Sequence, residues 1–214
     1  MERDVAILMA DLTGYTAMTD VHGGASAAKI VDKYMQLVDK ACFGNCKVIQ
    51  RIGDQVVMIA DQAIDIALTA QRLNCLALKE HDFLAIHSGI HYGPVFEQNG
   101  NLFGTTINVA SRIMNLAKRG QVVCSEVFLN EIQGLLPVEA KPIGTFKLKN
   151  VAADIALFEL PNPIEATPFL PIDPVCLMHV DPAKSSFILV KDDQSFHFCS
   201  KHCLDLFSAD FRPE

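Results

Sequence analysis

The stretch DVAILMADLTGYTAMTD, Asp4 to Asp20, changes its pattern once, and that change decides the fold. Asp4 to Ala10 is a nearly unbroken apolar run, as expected of a strand buried within a sheet. Asp11 closes the run and Gly14 supplies a turn. From Gly14 to Lys40 the residues Ala28, Ile30, Val31, Tyr34, Leu37 and Val38 then recur near the helical period. An aspartate at the end of a buried strand has its carboxylate fixed in direction and partly desolvated, so a hard divalent cation beside it recovers a large cost. The arrangement recurs in RIGDQVVMIA, Arg51 to Ala60, where Asp54 sits in a glycine turn.

Outward from these two aspartates, strand and helix patterns alternate to about residue 160. Lys47 to Arg51 and Gln55 to Ala60 read as a hairpin around Ile52, Gly53 and Asp54. The spacing predicts a helix from Asp61 to about Lys79, with Ile64, Ala67, Leu68, Cys75 and Leu78 inward. It also predicts a strand from Phe83 to Tyr92, a helix from Thr105 to Ala117 and a strand from Gln121 to Cys124. Strand, helix, hairpin, helix, strand is the order of an α+β sandwich, with helices covering one face of a mainly antiparallel sheet.

With 214 residues, half of them hydrophobic, the chain is long enough for a full core and a small appended module. A formal charge of −7 and the lack of a basic run exclude a nucleic-acid surface. No apolar run reaches the length that spans a bilayer, and MERDVAILMAD meets charges too early for a secretory signal, so the expected location is the cytoplasm with no membrane partner. In that compartment the seven cysteines are expected as thiols or metal ligands. Cys42, Cys46, Cys75 and Cys124 read as small buried hydrophobes. After Leu160 comes PNPIEATPFLPIDP, with five prolines, which reads as a linker. The expected division is therefore residues 1–160, a Pro-rich linker 161–171, and a tail 172–214 too small to be stable on its own core.

Four motifs, MADLTGYTAMTD (Met9–Asp20), QRIGDQVV (Gln50–Val57), HSGIHYGPV (His87–Val95) and NLFGTTINVASRIM (Asn101–Met114), carry a resemblance. In this order and spacing they resemble the catalytic domain of class III nucleotidyl cyclases, the adenylate and guanylate cyclase family, over about residues 4 to 160. The resemblance implies a ferredoxin-like class III cyclase sandwich that makes 3′,5′-cyclic AMP and pyrophosphate from ATP. Such a reaction builds charge on both the entering and the leaving oxygens, so two Mg²⁺ or Mn²⁺ ions per active site are implied. The family's metal-binding carboxylates correspond to Asp11 and Asp54. The backbone N–H groups of Thr13, Gly14, Tyr15 and Thr16, leading into a helix, are expected to cradle phosphate.

Asn108 and Arg112 share a helix face. By resemblance the asparagine orients the ribose and the arginine neutralises the α-phosphate in the transition state, for which a guanidinium that never deprotonates is suited. Gly104 would let the backbone approach closely before this helix. Lys147 and Lys149 lie only loosely near a phosphate-contacting lysine of some members. His87 and His91 alternate in a strand and read as ordinary hydrogen-bonded histidines. At the base-recognition positions, where adenylate cyclases usually carry lysine and aspartate or threonine, this chain has Gln50 and Asn101, amides that can present donor or acceptor. ATP is the first expectation; GTP, a pyrimidine triphosphate, or a noncatalytic nucleotide or metal sensor are the alternatives. Class III sites form between two domains, the aspartates from one and Gln50, Asn101, Asn108 and Arg112 from the other, so a head-to-tail homodimer is implied.

The tail stretches DPVCLMHVDP (Asp173–Pro182) and SFHFCSKHCLDLF (Ser195–Phe207) resemble the YHS domain, a small metal-associated module, with Leu177 in place of its usual glycine. Cys176, Cys199 and Cys203 form the expected thiolate set, joined by His179, His197 or His202. Soft ligands of this kind suit Zn²⁺ or Cu⁺. Idle thiols are the alternative.

Overall fold

A computed structural model describes residues 2–98, 101–136, 139–151, 153–162 and 170–210. The first strand, β1 (Glu2–Leu12), leads through a turn into α1 (Tyr15–Ala41), then β2 (Lys47–Ile52), β3 (Gln55–Ala60), α2 (Ala63–Lys79) and β4 (Ile86–Gln98). There follow β5 (Asn101–Phe103), α3 (Thr105–Leu116), β6 (Val122–Ser125), α4 (Glu126–Glu131), β7 (Lys141–Phe146) and β8 (Ile155–Leu160). These eight strands make one sheet in the order β2-β3-β1-β4-β6-β8-β7, with β5 paired to β4. All its pairings are antiparallel except β4 with β6.

Helices cover both faces of this sheet, which corrects the one-face expectation. Ala6, Leu8, Ala10 and Leu12 of β1 pack with α1 and α2, whereas Val5, Ile7 and Met9 pack with Ala110 and Met114 of α3. A strand buried on both sides must be apolar at every position, and Asp4–Ala10 is apolar after its first residue for this reason. Burying side chains such as Ile7 and Leu8 contributes about 1.5–3 kcal/mol each. On β4, Gly89 is obligatory: a Cβ there would lie 2.1 Å from the Met114 amide nitrogen and 2.6 Å from the Ala110 carbonyl oxygen, both backbone atoms of α3.

The long helix α1 breaks its helical dihedrals at Gly23 (φ 77°, ψ 167°), directly after His22. The Gly23-Gly24 pair makes such a break cheap. Its first segment therefore runs only from Tyr15 to His22.

The tail carries a hairpin, β9 (Ile188–Lys191) and β10 (Gln194–His197), and a helix, α5 (Lys201–Asp210). Asp192 and Asp193, both at positive φ (51° and 60°), form its turn. The tail does not stand apart. Cys176, Met178, Phe198 and Cys203 are buried in the same cluster as Met18, Phe83 and Leu84. The Asp82 N–H donates to the His179 carbonyl (2.9 Å) and the His179 N–H to the Phe83 carbonyl (2.8 Å). A module too small for its own core thus shares that of the larger body. Most of the Pro-rich linker, residues 163–169, lies outside the described residues. Among the described residues no helix is long and apolar enough to cross a membrane.

Candidate active site and thiol centre

Antiparallel pairing of β1 with β3 places Ala10 opposite Val56, which brings the end of β1 beside the β2–β3 turn. Asp11 and Asp54, distant in sequence, therefore meet. Each is only half-buried, yet both carboxyls are held above the usual range. Burial, then the Asp11 charge, pushes Asp54 up to about 6. Burial also raises Asp11, against the bonds it accepts from Asp54 and from the Leu12 N–H (3.1 Å). Burial and the neighbouring charge make ionisation of the second carboxyl harder, so the pair keeps a proton to higher pH than a free aspartate does. His87, opposite Asp11 in the β1–β4 register, lies 3.0 Å from the Thr13 hydroxyl through its Nδ1. Burial holds it neutral against the pull of Asp54. It thus borders the carboxylate pair, although its period-two position in sequence carried no sign of this. His91, by contrast, is an ordinary core histidine, its Nδ1 2.7 Å from the Ser125 hydroxyl.

Beside the pair, α1 begins without a side-chain cap, and Gly14 takes a left-handed conformation (φ 91°) that glycine adopts without strain. The amides that open the helix at Tyr15 and Thr16 have no intrahelical acceptor. Thr13 is a correction to the cradle: its N–H donates to the Ala85 carbonyl (2.8 Å), continuing the β1–β4 pairing, so the free amides begin after it.

Asn108 and Arg112 lie elsewhere. Gly104 opens α3, where a Cβ would come 3.1 Å from the Pro94 carbonyl oxygen. The Thr106 hydroxyl fastens the helix by donating to that same oxygen (2.6 Å). Asn108 is exposed. Arg112 lines a cavity of about 260 Å³ with Asn115, Leu116, Phe146, Lys147, Leu148 and Lys149. Its Nε is buried without a partner. The loosely placed Lys147 and Lys149 therefore border the same cavity as Arg112. Neither aspartate lines that cavity. Gln50 is exposed on β2 next to an irregularity in the β2–β3 register, and Asn101 opens β5, its side chain outside the described residues.

The tail thiols do converge. The Sγ atoms of Cys176 and Cys199 are 3.5 Å apart and those of Cys199 and Cys203 3.6 Å apart, too far for disulfides. His179, His197 and His202 do not join them. The nitrogen present is His22 Nε2, from α1, at 3.5 Å from Cys199 Sγ and 3.6 Å from Cys203 Sγ. The backbone of His179 is fixed by its bonds with Asp82 and Phe83, and its imidazole lies against the backbone of Glu80 and Ala77. Only a contact between distant parts of the chain could reveal His22. Of the other four cysteines, Cys124 alone is fully buried; Cys42, Cys46 and Cys75 are half-buried, a correction to their reading as buried hydrophobes.

Residues 1–149 match the family described as the adenylate and guanylate cyclase catalytic domain. An adenylate cyclase of Streptomyces griseus is 29% identical over 136 residues, covering 62% of this chain and 33% of that protein. The chain thus spans about a third of the length of the curated relatives it matches. Among solved structures, an adenylate cyclase from Trypanosoma brucei in its monomeric state superposes with TM-score 0.69 at 16% identity, covering 83% of this chain and 93% of that one. The guanylate cyclase domain of RhGC from Catenaria anguillulae, in complex with GTP, gives 0.65 at 18% identity, covering 76% and 98%.

Proposed function

The chain belongs to the adenylate and guanylate cyclase catalytic domain family, and from that premise we propose that it converts ATP to 3′,5′-cyclic AMP and pyrophosphate. The observation that carries this reading is the convergence of Asp11 and Asp54. Two half-buried carboxyls in contact, both held above the usual carboxylate range by burial, fit a pair of hard divalent ions. Mg²⁺ or Mn²⁺ bound there supplies charge to stabilise the attacking 3′-oxygen and the leaving pyrophosphate.

The chain's own groups do the remainder. The amides at the start of α1 receive phosphate oxygens at a helix N-terminus that no side chain caps with a hydrogen bond. Asn108 orients the ribose, and Arg112 takes up charge on the α-phosphate as the bond from the 3′-oxygen forms and that to pyrophosphate breaks. Because the cavity lined by Arg112 includes neither aspartate, the working site is on this reading one shared between two copies, head to tail. Ile52 at the hairpin tip, Phe103 before α3 and Leu116 at its end (55%, 54% and 44% exposed) are the apolar residues a second copy would cover. Lys147 and Lys149, beside Arg112, add positive charge for the triphosphate. By the family resemblance Gln50 and Asn101 are the base-recognition positions. As amides they accept adenine without rejecting other bases strongly, which keeps GTP and the pyrimidine triphosphates as alternatives.

The tail, residues 172–214, is on this reading a YHS-type module whose three thiols hold a soft metal. The experiment that tests the catalytic proposal is product chromatography after incubation with each of the four triphosphates and Mg²⁺ or Mn²⁺. Cyclic AMP as the main product, lost in Asp54→Ala, is expected. Cyclic product from another nucleotide alone moves the substrate, and none from any nucleotide overturns the proposal.

A further inference from the structure

We propose that His22 of α1 and the tail's Cys176, Cys199 and Cys203 are four ligands of a single zinc-type site, which clasps the tail onto the segment carrying the phosphate-binding turn. The inference rests on the reading of the tail thiols as metal ligands and extends it across the two parts of the chain.

The four donor atoms lie within 4.8 Å of one another. Ligands bound at about 2.0–2.3 Å around a tetrahedral centre stand about 3.5–3.8 Å apart, and the observed neighbours are 3.5 and 3.6 Å apart. Three thiolates and one imidazole are a closed structural set for Zn²⁺, with no position left for water or substrate.

The site is built rather than accidental. Asp173, fully buried, accepts from the Val175 N–H (2.8 Å), the Cys176 N–H (3.2 Å) and the Cys199 N–H (2.8 Å), so one carboxylate fixes both cysteine-bearing segments. The Ser200 hydroxyl accepts from the Cys203 N–H (3.3 Å) and orients the third. Nearby, Arg119 keeps both terminal nitrogens buried without a hydrogen-bond partner, and its charge acts on Cys176. A divalent ion with three thiolates and a neutral imidazole carries net charge −1, which that guanidinium balances.

The clasp grips α1 at two places. His22 ends the first segment of the helix, before the Gly23 break. At the other end Leu177 packs on Gly14, where an added Cβ would lie 2.8 Å from Leu177 Cδ1 and 2.9 Å from its Cβ. Leu177 holds a left-handed conformation (φ 62°) that a leucine adopts only at a cost, and it delivers to the phosphate turn a side chain that glycine would lack. Occupancy of the tail site is thereby coupled to the order of residues 14–22.

The test uses the full chain, reduced and freed of metal, in buffer with excess Mg²⁺. Zn²⁺ is titrated against a chromophoric chelator, Co²⁺ replaces it for spectroscopy, and hydrogen exchange is followed over residues 15–22. Expected are a thiolate-to-cobalt band, slowed exchange when Zn²⁺ is added, and about tenfold or greater weakening of Zn²⁺ binding in His22→Ala. In that variant the thiolate band persists with altered ligand-field bands, and exchange no longer responds. His22→Cys, which restores a fourth soft donor, recovers tight binding. Equal Zn²⁺ affinity and an unchanged Co²⁺ spectrum in His22→Ala overturn the clasp and leave the thiol reading intact. Absence of any thiolate-bound metal in the unmodified chain overturns both.

Discussion

At the scale of single residues, burial beside Asp11 changes the pH at which Asp54 gives up its proton. A free aspartate titrates near 4, whereas Asp54 in the fold is pushed up to about 6. The folded chain therefore binds this proton more tightly than the unfolded one, and stability falls as pH rises from about 4 to about 6, then stays lower. Without divalent metal, Asp54→Asn should melt above the unmodified chain at pH 8, with the gap closing below pH 4; calorimetry at the two values checks this. An equal gap at both would show that the carboxyls do not repel. Metal displaces the proton, so Mg²⁺ affinity should rise with pH up to about 6 and level off above. These two aspartates were legible in sequence because Asp11 ends an apolar run and Asp54 sits in a glycine turn just before one. His87 and His22 were not, since neither neighbours its partners along the chain.

At the scale of elements, the contact that places the arginine-bearing helix is the approach of α3 to β4 over Gly89. A methyl group there meets backbone atoms that cannot rotate away, so Gly89→Ala should push α3 off the sheet. The expected loss is about 2–3 kcal/mol in urea unfolding, and activity should fall further than stability accounts for, because Asn108 and Arg112 ride on that helix. Undiminished activity in the folded variant would argue that α3 position is not critical. The strands and helices with strong periodicity among β1 to β6 were readable, although β4 runs six residues beyond its expected end at Tyr92. Beyond β6 three elements were not, and neither was the three-residue β5. Strand β7 carries Pro142 and Gly144 around a register shift, its residues are mostly exposed, and the short α4 and β8 have too few residues to show a period. Coverage of both sheet faces was implicit in the unbroken apolar run of β1, which alternation would have contradicted.

At the scale of the whole molecule, the proposed catalytic groups divide into two clusters, carboxylates at the β1–β3 end and cations around the α3 cavity. If two copies share sites, mixing Asp54→Ala with Arg112→Ala, each inactive alone, should restore up to about a quarter of the activity through one intact site per mixed dimer. No rescue, with mixed dimers demonstrated by mass, would place the complete site within one chain. The same scale holds the thiol cluster, in which a helix of the larger body meets three cysteines of the tail. Sequence alone determined the α+β class, the alternation of elements, and the chemical types needed for metal and phosphate, because apolar period and turn residues are local properties of the chain. Only the tertiary structure decided which groups stand together: Asp11 with Asp54, Arg112 with Lys149, His22 with Cys199. Those meetings depend on strand register and helix packing between residues far apart, and no local pattern encodes the distance at which two such side chains finally face each other.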